Sequence, residues 1–206
     1  MAKMHFKYAS MNSGKSIDLI RTAYNYEENG YNVLVTKPKI DTKSGNKISC
    51  RIGLERKADV LFDLDSSIYD DFKDKLLNIN CIFVDEAQFL TRNQVDELFT
   101  ISKVMDIPVI CYGLRTDFMM EAFEGSKRLL EISDVLEELT TLCSCGSIAR
   151  YNARIINNEY VSTGEKIVID NSDDVKYVPL CGDCYLKKVK KLDYNKIKRN
   201  LGNVDD

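Results

Sequence analysis

Two hydrophobic patterns alternate along the first two thirds of the chain. Short runs rich in β-branched and aromatic residues predict strands at residues 5–9, 32–38, 81–84, 108–113 and 139–142. Segments with apolar residues three or four positions apart predict helices at residues 14–29, 68–77, 93–105 and 124–136. Strands that alternate with helices are typical of a parallel sheet, because parallel neighbours need a crossover connection. We therefore predict an α/β fold with a parallel-sheet domain over residues 1–142.

The pattern changes after residue 142. Two β-like stretches, at residues 149–156 and 166–169, are separated by turn residues such as Asn157 and Gly164. A segment of this size buries too little apolar surface to be stable alone, so it needs a cross-link such as a disulfide or a bound metal ion. We predict a small stapled subdomain at residues 143–190 and a flexible, Lys-rich tail at residues 191–206.

Composition excludes several classes of protein. The 206 residues include 29 Lys and Arg against 32 Asp and Glu, a net charge of −3, and 44% of them are hydrophobic. This balance is that of a folded domain, and it argues against a disordered chain or a polybasic nucleic-acid binder. The sequence has no apolar run of the roughly 20 residues that cross a bilayer, and its N-terminus lacks the apolar part of a secretion signal. We expect a soluble, cytoplasmic protein that binds neither membrane nor nucleic acid.

A candidate phosphate loop lies between the first predicted strand and the first predicted helix. Its residues are Ala9, Ser10, Met11, Asn12, Ser13, Gly14, Lys15 and Ser16. The Gly-Lys-Ser half of the P-loop pattern is complete, whereas Ala9 replaces the first glycine. Such a loop holds phosphates with successive backbone N–H groups at the positive end of a helix, and it tolerates Ala9 if the φ of that residue is negative. We expect Lys15 to neutralise the β- and γ-phosphates and Ser16 to coordinate Mg²⁺. An ordinary strand-to-helix turn is the alternative.

An acidic pair follows the third predicted strand. Asp85 and Glu86 come directly after four apolar residues, so they lie at the carboxyl edge of the sheet, where open α/β folds bind ligands. In P-loop enzymes an acid at the end of the strand beside the phosphate loop holds Mg²⁺, and we assign this role to Asp85. Glu86 is placed to accept a proton from an attacking hydroxyl group or water. The two motifs predict a nucleoside-triphosphate site, but they do not distinguish a kinase from an ATPase.

Four of the seven cysteines form two close pairs. Cys143 and Cys145 are separated by one residue, and Cys181 and Cys184 by two. Four thiolates on facing turns satisfy tetrahedral zinc, and in a chain without a secretion signal such pairs favour a metal over disulfides. Since protein fills all four positions, we predict a structural zinc ion rather than a catalytic one.

The motifs together resemble one known family, the type II thymidine kinases. The resemblance rests on residues 9–16, the Asp-Glu-Ala-Gln-Phe string at 85–89, the string at 112–118 and the cysteine pairs, in one order. It implies transfer of the γ-phosphate of ATP to the 5′-hydroxyl of thymidine, and usually of deoxyuridine. It implies Glu86 as the catalytic base, Lys15 and the loop amides on the donor phosphates, and Ser16 with Asp85 on Mg²⁺. A homotetramer and inhibition by thymidine triphosphate are further expectations.

This family encloses the thymine in a lid that the zinc subdomain anchors. By the same resemblance, the residues around the nucleoside are Met11, Phe89, Leu114, Phe118, Phe123, Asn152, Ile169 and Tyr177. Phe118 is expected to stack on the pyrimidine, and Asn152 stands where many relatives have threonine near the thymine methyl group. A closed lid excludes water from the transferred phosphoryl group, which favours a kinase over an ATPase.

Two other functions fit parts of the sequence. The P-loop, the four-cysteine unit and the Lys-rich tail suggest a zinc-ribbon NTPase stimulated by nucleic acid, although the net charge of −3 argues against a basic binding face. A redox or zinc-sensing switch built on the four cysteines is the other function. Salt-sensitive binding to DNA would favour the NTPase, and reversible metal release that changes activity would favour the switch.

Overall fold

The structure, a computed structural model, describes residues 1–41, 45–165, 175–194 and 196–197. The strands are β1 (Met4–Ala9), β2 (Val33–Pro38), β3 (Lys47–Ser49), β4 (Glu55–Lys57), β5 (Val60–Phe62), β6 (Cys81–Val84), β7 (Val109–Leu114), β8 (Val135–Glu138), β9 (Thr141–Leu142), β10 (Ile148–Ala149), β11 (Tyr151–Ile156), β12 (Glu159–Val161) and β13 (Val175–Leu180). The helices are α1 (Lys15–Glu28), α2 (Ile68–Phe72), α3 (Arg92–Val104), α4 (Glu124–Ile132) and α5 (Gly182–Lys188), with a 3₁₀ turn at Ala87–Phe89. Within these described ranges, no helix is long and apolar enough to cross a membrane.

Six of the strands form one sheet in the order β5-β2-β6-β7-β1-β8, and every neighbouring pair in it is parallel. This confirms the predicted α/β fold. The central strands are apolar throughout because helices cover both faces of the sheet. One core cluster packs α3 and α4 against the sheet through Leu98 and Leu129. The other packs α1 against the opposite face through Leu19, which clusters with Phe83 and Tyr112.

The order of strands corrects one expectation about the site. The acidic strand was predicted beside the strand that leads into the phosphate loop, but β7 lies between β6 and β1. Hydrophobic runs report that a strand is buried on both faces and carry no information on which strand is its neighbour. The acids and the loop still meet, because the carboxyl ends of all three strands lie at one edge of the sheet.

The last strand of the sheet also differs from the prediction. The helix predicted at residues 124–136 ends at Ile132, and the sheet strand is β8 rather than residues 139–142. Asp134 explains the change, because its carboxylate accepts a hydrogen bond from Met4 N at 2.7 Å and its own N–H donates to Met4 O at 2.9 Å. These bonds align the following residues with β1. Strand β9 instead pairs with β10 in an antiparallel hairpin.

Two further segments differ from the sequence pattern. The helix predicted at residues 68–77 ends at Phe72, whose carbonyl accepts hydrogen bonds from both Lys75 N and Leu76 N in a turn. The polar stretch at residues 41–57, for which no element was predicted, contains the antiparallel hairpin of β3 and β4. Strand β5, at the edge of the large sheet, was also missed, since three residues are too few to show a period.

The C-terminal part has a core of its own. Strands β12, β11 and β13 form an antiparallel sheet in that order, and α5 packs on it. Its buried cluster includes Ala153, Leu180, Tyr185 and three of the four paired cysteines. The strand predicted at 149–156 is present as β10 and β11, whereas the stretch predicted at 166–169 lies outside the described residues. Most of the predicted tail, residues 195 and 198–206, lies outside them as well.

Candidate active site

The phosphate loop connects β1 to α1. Gly14 precedes α1 with a φ of +82° and no side chain caps the helix, so the first N–H groups of α1 are available to an anion. A Cβ atom at Gly14 would contact nothing within 4 Å, which shows that glycine is needed for its φ and not for space. Ala9 lies in β1 and is not among the residues with positive φ. The condition on which the loop tolerates alanine is therefore met.

Lys15 is the cation of this loop. Its side chain is buried, with 9% of the residue exposed, and its Nζ donates a hydrogen bond to Ser10 O at 3.1 Å. Ser16 extends from the same helical turn, and its hydroxyl donates to Asp85 Oδ2 at 3.4 Å. The phosphate loop and the acidic strand thus meet directly, as the two sequence motifs require.

Asp85 is a buried carboxyl group with only one of its two oxygen atoms hydrogen-bonded among the described residues. It is 3% exposed, and its Oδ1 atom has no hydrogen-bond partner among the described residues. Burial raises the pKa of Asp85 to about 7, and the negative charge of Glu86 acts in the same direction, whereas the Glu86 N–H and the charge of Lys15 oppose the shift. An uncompensated carboxylate oxygen beside the hydroxyl of Ser16 is a donor set that suits Mg²⁺.

Glu86 is held in an uncommon backbone conformation. Its φ of 51° and ψ of 37° lie in the left-handed region, which costs a non-glycine residue roughly 1–2 kcal/mol. This conformation turns the chain from β6 into the 3₁₀ turn. Gln88 Nε2 donates to Glu86 Oε2, and Gln88 Oε1 accepts from Leu114 N at 3.0 Å. The Glu86 carboxylate is therefore oriented by a side chain that is itself fixed to the end of β7.

One cavity of about 640 Å³ joins the predicted parts of the site. Residues of the phosphate loop line it, namely Met11, Asn12, Ser13, Gly14, Lys15 and Ser16, together with Asp85 and Glu86. The predicted nucleoside residues Phe89, Leu114, Phe118, Phe123, Asn152 and Tyr177 line it too. Ala9 and Ser10 do not line the cavity, and Ile169 lies outside the described residues. Residues 47–52 of the β3–β4 hairpin form a further wall, which the sequence did not predict.

Asn152, which lines the cavity, also holds two backbone segments together. Its Oδ1 accepts a hydrogen bond from Met11 N at 2.8 Å, and its Nδ2 donates to Thr116 O at 2.9 Å. Both ends of the amide therefore bind backbone, and the residue ties the phosphate loop to β11. It contributes to the cavity wall mainly as a fixed surface.

Two residues that matter for the geometry were not singled out in the sequence. Gln88 orients Glu86, and its place inside the Asp-Glu-Ala-Gln-Phe string was a usable signal. Arg154 is 1% exposed, and its guanidinium lies 3.7 Å from the centroid of the Phe118 ring. The signal in that case was one of the two arginines in the stretch predicted as a strand, since a cation that is buried in a strand requires partners.

The four paired cysteines converge at one end of the C-terminal unit. The Sγ atoms of Cys143, Cys145, Cys181 and Cys184 all lie within 4.8 Å of one another. None of them forms a disulfide. Hydrogen bonds from the backbone and hydroxyl of Ser147 lower the pKa of Cys145 to about 6, which favours the thiolate that a metal requires. The cluster could bind zinc, and its four sulfur atoms would complete a tetrahedral shell.

The fold and this site together define a class of protein. P-loop α/β proteins combine a parallel sheet, a glycine-containing anion-binding loop before a helix and an acid at the same edge of the sheet. This chain has all three features, together with a cysteine-rich C-terminal unit.

Comparison with known proteins identifies the family. The family model described as thymidine kinase matches residues 2–185. A thymidine kinase of Mannheimia succiniciproducens is 42% identical over 196 residues, which is 93% of this chain and 99% of the relative. One of Zymomonas mobilis is 42% identical over 93% of this chain and 100% of the relative, and one of Pasteurella multocida is 43% identical over 92% and 99%. This chain therefore belongs to the thymidine kinase family, as its motifs indicated.

A solved structure of Bacteroides Pif1 bound to single-stranded DNA is 18% identical over 68% of this chain and 38% of that chain, with a TM-score of 0.34. A likeness of this size says nothing about function.

Proposed function

We propose that this chain transfers the γ-phosphate of ATP to the 5′-hydroxyl of thymidine, and also of deoxyuridine, in nucleotide salvage in the cytoplasm. Membership of the thymidine kinase family supports the reaction. The observation that carries the assignment of residues is the shared cavity, which is lined both by Lys15, Asp85 and Glu86 and by aromatic residues. A phosphate donor and a nucleoside can meet in such a space.

The donor phosphates bind at the loop. The start of α1, which no side chain caps, and the ammonium of Lys15 would bind them. The residues present fit Mg²⁺, since Ser16 and the unpartnered Oδ1 of Asp85 would hold it. When bound, the metal ion neutralises charge on the β- and γ-phosphates. Its binding also compensates the charge of Asp85, which burial otherwise disfavours.

Glu86 acts as the general base. As the thymidine O5′ attacks the γ-phosphorus, a new O–P bond forms, the bond from that phosphorus to the bridging oxygen breaks, and ADP leaves. The hydroxyl proton passes to the Glu86 carboxylate, which Gln88 holds in orientation. Glu86 later releases this proton to solvent, so the enzyme returns to its starting state.

The pyrimidine binds against the aromatic residues that line the cavity. Phe89 and Phe123 meet edge to face, with centroids 5.9 Å apart, and Phe118 lines the cavity beside Leu114. Deoxyuridine differs from thymidine by one methyl group, whose burial contributes roughly 0.8 kcal/mol. We therefore expect deoxyuridine to be accepted with an efficiency several-fold lower than that of thymidine.

Three further properties belong to the proposal. Zinc held by the four cysteines is structural, because the protein would fill every coordination position. Thymidine triphosphate inhibits, because its base and its phosphates would occupy the cavity that the two substrates share. The active form is a homotetramer, which the family resemblance supports and which mass measurement of the native protein would test.

The first experiment is an assay of the purified protein with ATP, Mg²⁺ and thymidine. Thymidine monophosphate is the expected product, and its absence from a folded preparation would end the proposal. A nucleoside panel at fixed ATP measures the preference for deoxyuridine. ATP hydrolysis that DNA stimulates, without nucleotide product, would instead support the zinc-ribbon NTPase.

The second experiment replaces the proposed base. Glu86→Gln removes the proton acceptor while keeping the shape of the side chain, so kcat is expected to fall by roughly 10²–10⁴. The free energy of unfolding should change little. Glu159→Gln is the matched control, because Glu159 is exposed on β12. Near-normal turnover in Glu86→Gln would show that another group takes the proton.

A further inference from the structure

Arg154 is a cation that the reaction itself does not use. It lies on β11 with 1% of its surface exposed, and it is not among the residues that line the cavity. Removing a charge from water is costly unless hydrogen bonds and favourable charge interactions replace the solvent. The contacts of its guanidinium therefore indicate why the residue is there.

The guanidinium contacts two predicted nucleoside residues at once. Its Cζ atom lies 3.7 Å from the centroid of the Phe118 ring and 5.3 Å from that of the Tyr177 ring. Its Nε donates a hydrogen bond to the Tyr177 hydroxyl at 2.8 Å. Phe118 follows β7 of the large sheet, and Tyr177 lies on β13 of the C-terminal unit. Arg154 thus connects two parts of the fold behind the cavity.

A third contact reaches the segment after β12. Arg154 Nη2 donates to Glu165 O at 2.6 Å. At the adjacent Gly164, an added Cβ would lie 3.4 Å from Arg154 Nη1 and 3.9 Å from the Phe118 ring. The guanidinium thus also contacts the segment that follows β12.

We propose that Arg154 is a positioning residue that sets the distance between Phe118 and Tyr177, and thereby the width of the cavity where the nucleoside binds. The inference rests on the proposed function. The planar guanidinium is suited to this task, because it can stack on a ring and donate in its own plane at the same time. The backbone of Phe118 is held separately by the Tyr185 hydroxyl, which donates to Phe118 O at 2.5 Å. Arg154 additionally fixes the position of the Phe118 ring.

Arg154→Lys tests this role, because lysine keeps the charge and loses the plane. The KM for thymidine is expected to rise about tenfold, the scale of a desolvated cation–π contact. The kcat and the KM for ATP should stay within about twofold, since Arg154 stacks on Phe118 and donates to Tyr177 and Glu165, which lie outside the phosphate loop. Arg150→Lys is the matched control, because its side chain is 46% exposed and pairs with Glu138 at 3.0 Å. All constants should stay unchanged in the control.

A double-mutant cycle with Tyr177→Phe separates positioning from direct binding. This variant removes the hydroxyl that accepts from Arg154 and keeps the ring. If the hydroxyl acts through Arg154, Tyr177→Phe raises the thymidine KM in the wild-type background and has little further effect in the Arg154→Lys background. Equal effects in both backgrounds would mean that the hydroxyl binds the nucleoside directly, which overturns the proposal.

The outcomes separate this inference from the proposed function. Absence of thymidine monophosphate with the wild-type protein would refute the function itself. With an active wild type, an unchanged thymidine KM in Arg154→Lys refutes the positioning role, and so does a parallel loss of kcat and of affinity for both substrates. If Arg154→Lys does not fold, Arg154→Met, which removes the donor and keeps the length of the side chain, takes its place in the cycle, with the same expected and refuting results.

Discussion

Gly125→Ala is expected to impair catalysis through the packing of α4 on the turn that carries the proposed base. Gly125 lies in the first turn of α4 and is buried. A Cβ atom there would lie 2.6 Å from Ala87 O and 2.6 Å from Leu90 O, both backbone atoms of the 3₁₀ turn and its end. Such contacts are far shorter than van der Waals separation, and backbone atoms cannot rotate away. The turn next to Glu86 must therefore move.

The size of the effect follows from two opposing terms. Overpacking of this kind costs typically about 1–3 kcal/mol, whereas alanine in place of glycine within a helix returns about 1 kcal/mol. We expect a net loss of stability of up to about 2 kcal/mol. Turnover should suffer more, because misplacing a catalytic group by about 1 Å can cost about 10²-fold. A fall in kcat of roughly 10- to 100-fold is expected.

Urea unfolding and steady-state kinetics measure the two terms separately. Gly182→Ala is the control, because an added Cβ in α5 would meet only the Tyr151 ring at 3.4 Å, an ordinary contact. Its kcat should be unchanged, and its stability should not fall. A Gly125→Ala protein with wild-type kcat would show that the 3₁₀ turn can shift without moving the carboxylate of Glu86, and the link between this packing and catalysis would be refuted.

Two further predictions concern stability. Cys184→Ser or treatment with a chelator should release zinc and make residues 143–190 the first part of the chain to be cleaved by protease, because the cysteines belong to the core of that small unit. The control variant Cys50→Ser should keep its metal. A chelated protein that resists protease as before would contradict a structural role for zinc. For Asp18, partial burial raises the pKa, but hydrogen bonds from Lys7, Arg21 and Tyr112 outweigh it and hold the pKa below 3.8. Asp18 therefore contributes stability above the pKa of the unfolded chain, about 3.9, and this contribution is lost as pH falls through the lower folded value. The difference in unfolding free energy between wild type and Asp18→Asn should be present at pH 7 and shrink in acid, and a difference independent of pH would disprove this account.

Local sequence predicted the parts of the site that depend on a few adjacent residues. The phosphate loop needs a positive φ at Gly14 and a cation at Lys15, and both requirements are visible in the order of residues. The acids after β6 follow from a buried strand that ends at the sheet edge. The cysteine pairs are similarly short-range signals. These motifs could be interpreted because the chemistry of each is complete within one turn or one strand end.

Contacts between distant segments could not be predicted in this way. Three features are examples: β7 lies between β1 and β6, the amide of Asn152 binds Met11 N and Thr116 O, and Gln88 holds Glu86. Each depends on groups that come together only when the sheet and the C-terminal unit pack. Hydrophobic periodicity encodes whether a side chain is buried and leaves open which group it meets there. The order of residues thus specified most of the longer helices and strands and the chemical groups of the site. Their partners, and the shape of the cavity between them, were decided by non-local hydrogen bonding and packing in the folded chain.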